Sequence, residues 1–184
     1  MASILDLGGD RMRIESLNEE HAHLFRNIRL QAFREAPEVF GSSYEEELKL
    51  SEDKIAQKYA ALFTSYEDNF ILGAFDEADC LIGVAGFYRE PRAKNRHKAV
   101  IWGMYVVPES RNQGIAKLLL QVILERARRL QDIRQINLAV TSGNTFAKRL
   151  YLSMGFQVYG VEEDALQVNG QFLDEDLMVL RLDK

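Results

Sequence analysis

Cysteine is nearly absent from this 184-residue chain, where Cys80 stands alone. One thiol closes no intrachain disulfide and cannot supply a cluster of thiolate zinc ligands. Histidine is also scarce: His21, His23 and His97 are scattered, and two residues two apart on an expected helix do not share a face. No metal site is therefore expected. A basic surplus is missing as well, since 23 Lys and Arg against 28 Asp and Glu give a formal net charge of -5. Proteins that live on phosphate contacts carry the opposite balance, which argues against nucleic acid as a partner and favours a cationic ligand over an anionic one. No apolar run approaches the roughly 18 residues that span a bilayer, and Met1–Asp10 lacks the basic start and long apolar stretch of a secretory signal. A soluble, cytoplasmic protein without a membrane partner is expected. There is no Pro/Gly/Ser linker and no repeat, so 1–184 reads as one domain of ordinary size, with residues 1–10 as a flexible tail.

What the chain does contain is a changing apolar period. Met12–Leu17 alternates as a strand, and from Glu19 to Glu35 the positions Ala22, Phe25, Ile28, Arg29, Ala32 and Phe33 recur at helical spacing. Ser43 with Glu46 three positions on is a capping-box arrangement, and a further helix is expected over Ser51–Phe63. Phe70–Phe75 and Cys80–Tyr88 read as strands of a hairpin turned at Asp76–Asp79. Ala99–Val107 is almost continuously apolar, which places it centrally in a sheet covered on both faces. Asn112–Leu130 is amphipathic, with Ile115, Leu119, Ile123, Ala127 and Leu130 in one stripe and Arg126, Arg128 and Arg129 complementing the dipole at its end. Ile133–Val140 alternates again, Asn144–Met154 reads as a helix closed by Gly155, and Phe156–Val161 and Phe172–Leu182 are strands with Val168-Asn169-Gly170 as a turn signal. The expected fold class is α/β (α+β), a mixed sheet of about six to seven strands flanked by helices, antiparallel early and crossed over in the middle. The C-terminal strands could pair or exchange between copies as a homodimer.

The most informative segment runs from Tyr105 to Lys117, a strand entering a tight polar loop and then a helix. The first N–H groups of a helix have no intrahelical partner, and the dipole adds roughly half a positive charge, so a phosphate fits there with little cationic help. Gly114 permits close approach, Ala116 keeps bulk away from a pyrophosphate, and Arg111 and Lys117 add charge. The spacing is neither Gly-x-x-x-x-Gly-Lys-(Ser or Thr) nor Gly-x-Gly-x-x-Gly.

Arg111-Asn112-Gln113-Gly114-Ile115-Ala116 does match (Arg or Gln)-x-x-Gly-x-(Gly or Ala), the pyrophosphate signature of the GNAT N-acetyltransferase superfamily, which the sequence resembles. A second segment, Asn144-Thr145-Phe146-Ala147-Lys148-Arg149-Leu150-Tyr151 followed by Met154-Gly155-Phe156, is similar to the same family's Asn-x-x-Ala-x-x-x-Tyr…Gly-Phe stretch. The resemblance is tight over about Ala99–Gly160 and looser outside it. It implies acetyl-CoA as co-substrate, held by Arg111, Asn112, Gln113, Gly114, Ile115, Ala116 and Lys117 at the pyrophosphate. Tyr105, Val106 and Val107, with Asn144, Ala147 and Tyr151, are the implied contacts along the pantetheine arm.

Local physics bears on these roles. Gly103 inside an aromatic, β-branched strand marks a bulge or close approach, and a bulge near Met104–Val106 would splay this strand from Ile136–Val140. In the family the pantetheine arm fills that wedge, and a strand N–H serves as oxyanion donor. The leaving thiolate resembles free cysteine, with a pKa of about 8.5, so a phenol of about 10 can protonate it. Tyr151 is the candidate acid, with a packed helix tyrosine as the structural alternative; Asn144 likewise contacts pantetheine or simply caps its helix. For the base the candidates are Glu90 and Glu46, the latter within the run Glu45-Glu46-Glu47. Trp102 and Phe87 are candidates to line an acceptor cleft, and Arg29 either holds an acidic group or forms a structural ion pair. Cys80 has no activating His nearby and reads as a small core residue, which favours direct transfer in a ternary complex.

The expected function is thus N-acetyl transfer to a primary amine of a small molecule, peptide or protein. The alternative is a non-catalytic acyl-CoA-binding sensor or interaction domain.

Overall fold

The computed structural model describes residues 3–7, 10–63 and 67–182. In chain order the elements are β1 (Ser3–Leu7), β2 (Asp10–Ser16), α1 (Ala22–Glu35), α2 (Tyr44–Leu48), α3 (Glu52–Leu62), β3 (Asn69–Phe75) and β4 (Leu81–Arg89). Then come β5 (Lys98–Val106), α4 (Ile115–Arg129), β6 (Gln135–Thr141), α5 (Thr145–Ser153), β7 (Gln157–Val168) and β8 (Gln171–Arg181). The strands form one mixed eight-stranded sheet in the order β1-β2-β3-β4-β5-β6-β8-β7. Every neighbouring pair is antiparallel except β5 and β6, joined through α4.

Each face of the sheet carries its own apolar layer. α4 turns Ile115, Leu119, Leu120, Ile123, Leu124 and Ala127 inward, where they meet Phe70, Leu72, Ala85, Phe87, Ala99, Ile101 and Leu138. α1 covers the other face with Phe25, Ile28 and Ala32, packed with Tyr59, Phe63, Ile71, Val84 and Tyr105. Buried on both faces, β5 is the central strand its apolar run implied.

The hairpin turn before β4 is built by Asp76, whose Oδ1 accepts from the N–H groups of Ala78 (2.9 Å) and Cys80 (2.8 Å). Cys80 is exposed there, a correction to its reading as a core residue: the Asx turn lifts it out of the strand. Residues 3–7, assigned to a flexible tail, pair with β2 from Ser3↔Ile14 to Leu7↔Asp10 and add an edge strand; residues 1–2 and 8–9 of that tail lie outside the described residues. α4 begins at Ile115 rather than Asn112, because Asn112 (φ 63°) and Gly114 (φ 81°) are left-handed. At the other edge, β7 runs on to Val168, past register shifts at Val158/Gly160 and Glu162/Leu166 that break its alternation in the sequence. No helix among the described residues is long and apolar enough to cross a membrane.

Candidate active site

The site begins where β5 leaves β6. Their parallel pairing covers only Lys98↔Gln135, Ala99↔Ile136 and Val100↔Asn137. Beyond it β5 pairs only with β4, and β6 only with β8, so a wedge opens between Ile101–Val106 and Leu138–Thr141. Its cause is the bulge expected from Gly103. Between the pairs Trp102↔Gly86 and Tyr105↔Val84, Gly103 and Met104 together face Ala85, and Gly103 holds the left-handed φ of 62° that other residues adopt only with strain. The extra residue also shifts the strand's parity. Trp102 and Tyr105, three apart, both face the α1 layer, while Ile101 and Met104 face the α4 layer.

The wedge leads to an anion cradle. After β5, the N–H of Val107 donates to Ile82 O (3.0 Å), that of Ser110 to Val107 O (3.0 Å), and that of Arg111 to Pro108 O (3.1 Å). The next N–H with a backbone acceptor is that of Leu118, on Gly114 O. Among the described residues, the six N–H groups from Asn112 to Lys117 have no protein acceptor. They stand where the dipole of the fifteen-residue α4 is positive. Asn112, Gln113, Gly114 and Lys117 are exposed, Ala116 is half-buried and Ile115 is anchored in the core.

Arg111 does not reach into this cradle. Its Nε donates to Val106 O (3.0 Å), its Nη2 lies 3.6 Å from Glu35 Oε2, and its guanidinium covers the Tyr105 ring at 5.6 Å. The Tyr105 hydroxyl donates to the same Glu35 Oε2 (2.5 Å). The hydrogen bond from Tyr105 holds the Glu35 carboxyl below its usual range; burial, then Glu35, pushes the Tyr105 phenol up. This latch ties the end of α1 to β5 and the loop. Glu35 was not among the predicted site residues. Its position at the end of the α1 pattern carried no signal, because its partner comes from 70 residues away.

Tyr151, on α5, is 7% exposed and packs with the α4 layer against Phe156. Its hydroxyl faces Met104 Sδ at 3.7 Å, at the bulge on the wall of the wedge. Burial pushes the phenol up to about 12, so it carries its proton at any ordinary pH, and a thioether is a weak acceptor for it. Asn144 caps α5, its Oδ1 accepting from Ala147 N–H (3.2 Å). That use engages the oxygen and leaves the amide NH₂ without a protein acceptor among the described residues, so capping and ligand contact are compatible.

On the other face of β5, Arg29 and Trp102 come together. The Arg29 guanidinium lies 4.6 Å from the centroid of Phe33, 5.5 Å from Phe25 and 5.8 Å from Trp102. Trp102 sits flat on Gly86, where a Cβ would stand 2.2 Å from Trp102 Cε2. Phe87 does not join them: it is fully buried and stacked on Phe70 at 5.0 Å under α4, because its place in β4 points it to the other side of the sheet. Of the acidic run, Glu45 and Glu46 are exposed, with Glu46 N–H capped by Ser43 Oγ (3.1 Å). Glu47 is the buried member at 2% exposure, accepting from Lys58 Nζ and the Tyr59 hydroxyl, each at 2.5 Å. Burial alone would raise its carboxyl, but those two hydrogen bonds prevail and lower it. Glu90 follows the end of β4, its N–H on Lys98 O (3.0 Å), four residues beyond the Gly86–Trp102 pair and away from the bulge. No group of three or more His, Cys, Asp or Glu that could hold a metal ion occurs among the described residues.

Known proteins similar to this chain bear on its family and fold. The model of the acetyltransferase (GNAT) family matches residues 25–156. An L-methionine sulfoximine/L-methionine sulfone acetyltransferase from Pseudomonas paraeruginosa is 32% identical over 113 residues, 61% of this chain and 65% of the relative. An L-2,4-diaminobutyric acid acetyltransferase from Wolinella succinogenes is 30% identical over 112 residues, 59% of this chain and 62% of the relative. The chain thus spans a little under two thirds of the length of these curated relatives. Among solved structures, a proposed acetyltransferase from Salmonella typhimurium with its cofactor acetyl-CoA superposes with a TM-score of 0.78 at 21% identity, covering 94% of this chain and 95% of that one. At that identity the likeness establishes the fold.

Proposed function

The chain belongs to the acetyltransferase (GNAT) family, and on that premise we propose that it transfers the acetyl group of acetyl-CoA directly to a primary amine of a small molecule, in a ternary complex. The observation that carries this reading is the run of six acceptor-free N–H groups, Asn112–Lys117, opening onto the β5–β6 wedge. Two adjoining features suit one elongated ligand with an anionic end: a row of backbone donors for a pyrophosphate, and beside it a slot between strands with unpaired edges for an amide-bearing arm. The Salmonella neighbour's acetyl-CoA and the amine-acetylating relatives support the same reading.

Bound acetyl-CoA supplies an activated acyl thioester. Asn112, Gln113, Gly114, Ile115, Ala116 and Lys117 hold its pyrophosphate. Tyr105 and Val106 line the arm from β5, with Asn144 and Ala147 on the opposite wall; Val107, whose N–H and C=O are engaged by Ile82 and Ser110, adds contact rather than a hydrogen bond. A strand N–H at the bulge serves as a fixed oxyanion donor, a role worth about 10²–10³ in rate. As the amine nitrogen bonds to the carbonyl carbon and the C–S bond breaks, Tyr151, whose hydroxyl faces Met104, would give its proton to the departing thiolate, and the proton shed by the amine would pass through solvent to restore the phenol.

The test is thiol release from acetyl-CoA against a panel of small amines, run beside calorimetric titration of CoA. Turnover with CoA binding is the expected result. CoA binding without turnover on any amine would favour a sensor, and the absence of CoA binding would remove the reading altogether.

A further inference from the structure

We propose that Arg29 is the acceptor's anchor, binding the carboxylate of an amino acid whose amine is acetylated. The inference rests on the acetyl-transfer reading and names the substrate class of that site.

Arg29 lies on α1, directed at β5, and its Nη1 stands 3.7 Å from the point where a Cβ on Gly103 would be. It therefore addresses the bulge itself, from the face opposite Tyr151. Its Nε is buried with no hydrogen-bond partner, and among the described residues the guanidinium makes neither a hydrogen bond nor an ion pair. A guanidinium used only for structure spends its planar fork of donors on carbonyls or carboxylates of its own chain. This one has aromatic rings instead, Phe33, Phe25 and Trp102. Rings fix the plane of the fork while leaving its N–H edge unused.

The carboxylate that acts on it is engaged elsewhere. Glu47 attracts Arg29 at a distance but is bound to Lys58 and Tyr59. Arg29 thus carries a half-buried positive charge with no ion-pair partner among the described residues, and desolvation lowers its pKa. A planar carboxylate is the bidentate partner for such a fork. A carboxylate seated on Arg29 positions an α-amine or a short side-chain amine of the same molecule within reach of the bulge. A polyamine gains nothing there, and its cations are repelled. The overall net charge, which favoured a cationic acceptor, is overruled by this local one.

The experiment measures binding and turnover separately on the full chain. Calorimetry in saturating CoA is run with the common L-amino acids, L-methionine sulfone and L-2,4-diaminobutyrate, and each hit is repeated with its α-carboxamide. At least one acid is expected to bind, and its carboxamide to bind about 10–100-fold more weakly, as for loss of a charge-assisted pair. Thiol-release assays are expected to give the same ratio in kcat/KM, carried by KM. Arg29→Met erases the discrimination, and Arg29→Lys restores part of it, with CoA affinity unchanged in both. Equal binding of acid and carboxamide to the unaltered protein, or no binding of any acid while CoA binds, overturns the inference. CoA failing to bind at all would instead refute the acetyl-transfer reading beneath it.

Discussion

Tyr151→Phe separates catalysis from packing unusually well. The hydroxyl's protein partner is the Met104 sulfur at 3.7 Å, so its removal should change folding stability by less than about 1 kcal/mol, under the usual worth of a neutral hydrogen bond. The ring keeps its contact with Phe156. If the phenol protonates the departing thiolate, kcat falls by about 10²–10³, or roughly 3–4 kcal/mol of barrier, with acetyl-CoA affinity unchanged. Steady-state thiol release at saturating amine, with a CoA titration beside it, reads both. A companion measurement tests burial. The folded phenol titrates at about 12, against about 10 for an unfolded tyrosine. A raised folded pKa means that this contribution to stability is complete below about pH 10. It is lost as pH rises towards 12, by up to ~1.4 kcal/mol per unit. Chemical denaturation between pH 9 and 11 should therefore show the unaltered protein weakening more steeply than Tyr151→Phe. A kcat within about threefold of the parent would refute the acid role. Parallel alkaline losses would refute the buried phenol on which the argument depends.

Two further substitutions probe the cradle and the acceptor wall. Ala116→Asp adds a carboxylate to the first turn of α4, where the dipole makes it neutral or stabilising by about 0.3–1 kcal/mol; the same charge repels a pyrophosphate, so acetyl-CoA should bind about tenfold more weakly or worse while the melting temperature holds. Gly86→Ala places a Cβ 2.2 Å from Trp102 Cε2, so the indole must move at a cost of about 1–3 kcal/mol. Trp102 is the only tryptophan, so a shifted intrinsic emission with unchanged CoA affinity reports the displacement directly.

Much of the frame was legible in the sequence because its signals are local. Helical period, the Ser43 and Asn144 caps, the Asp76 turn and the apolar Ala99–Val107 run each depend on residues close in the chain, and each lies where expected. The bulge was legible for the same reason, since a glycine in an aromatic strand has few other uses. What escaped was set by distant pairs. Glu47 looked like its exposed neighbours until α3 brought Lys58 and Tyr59 to it. Phe87 and Trp102 looked equivalent as strand aromatics until register and bulge sent them to opposite faces. β7 hid its length behind bulges and an acidic stretch.

Arg111 shows how the side chain at a motif position can be used for something its charge does not suggest. From its charge it reads as a pyrophosphate ligand, yet its guanidinium is turned back onto Val106 O, Glu35 and Tyr105. There it braces the loop against the strand end and α1, so that the following residues are held in the left-handed turn at Asn112 and Gly114. Under the proposed function, anion affinity would then fall to backbone N–H groups and the dipole of α4, which need no side-chain charge. A long side chain to brace, a glycine to turn and a small residue to clear the approach are enough, which explains why so few fixed positions define the pattern. It would also explain how a chain with a net charge of -5 could hold a polyanion: the attraction would be built from the peptide backbone, and the acidic surface elsewhere is screened within about 10 Å at ordinary salt.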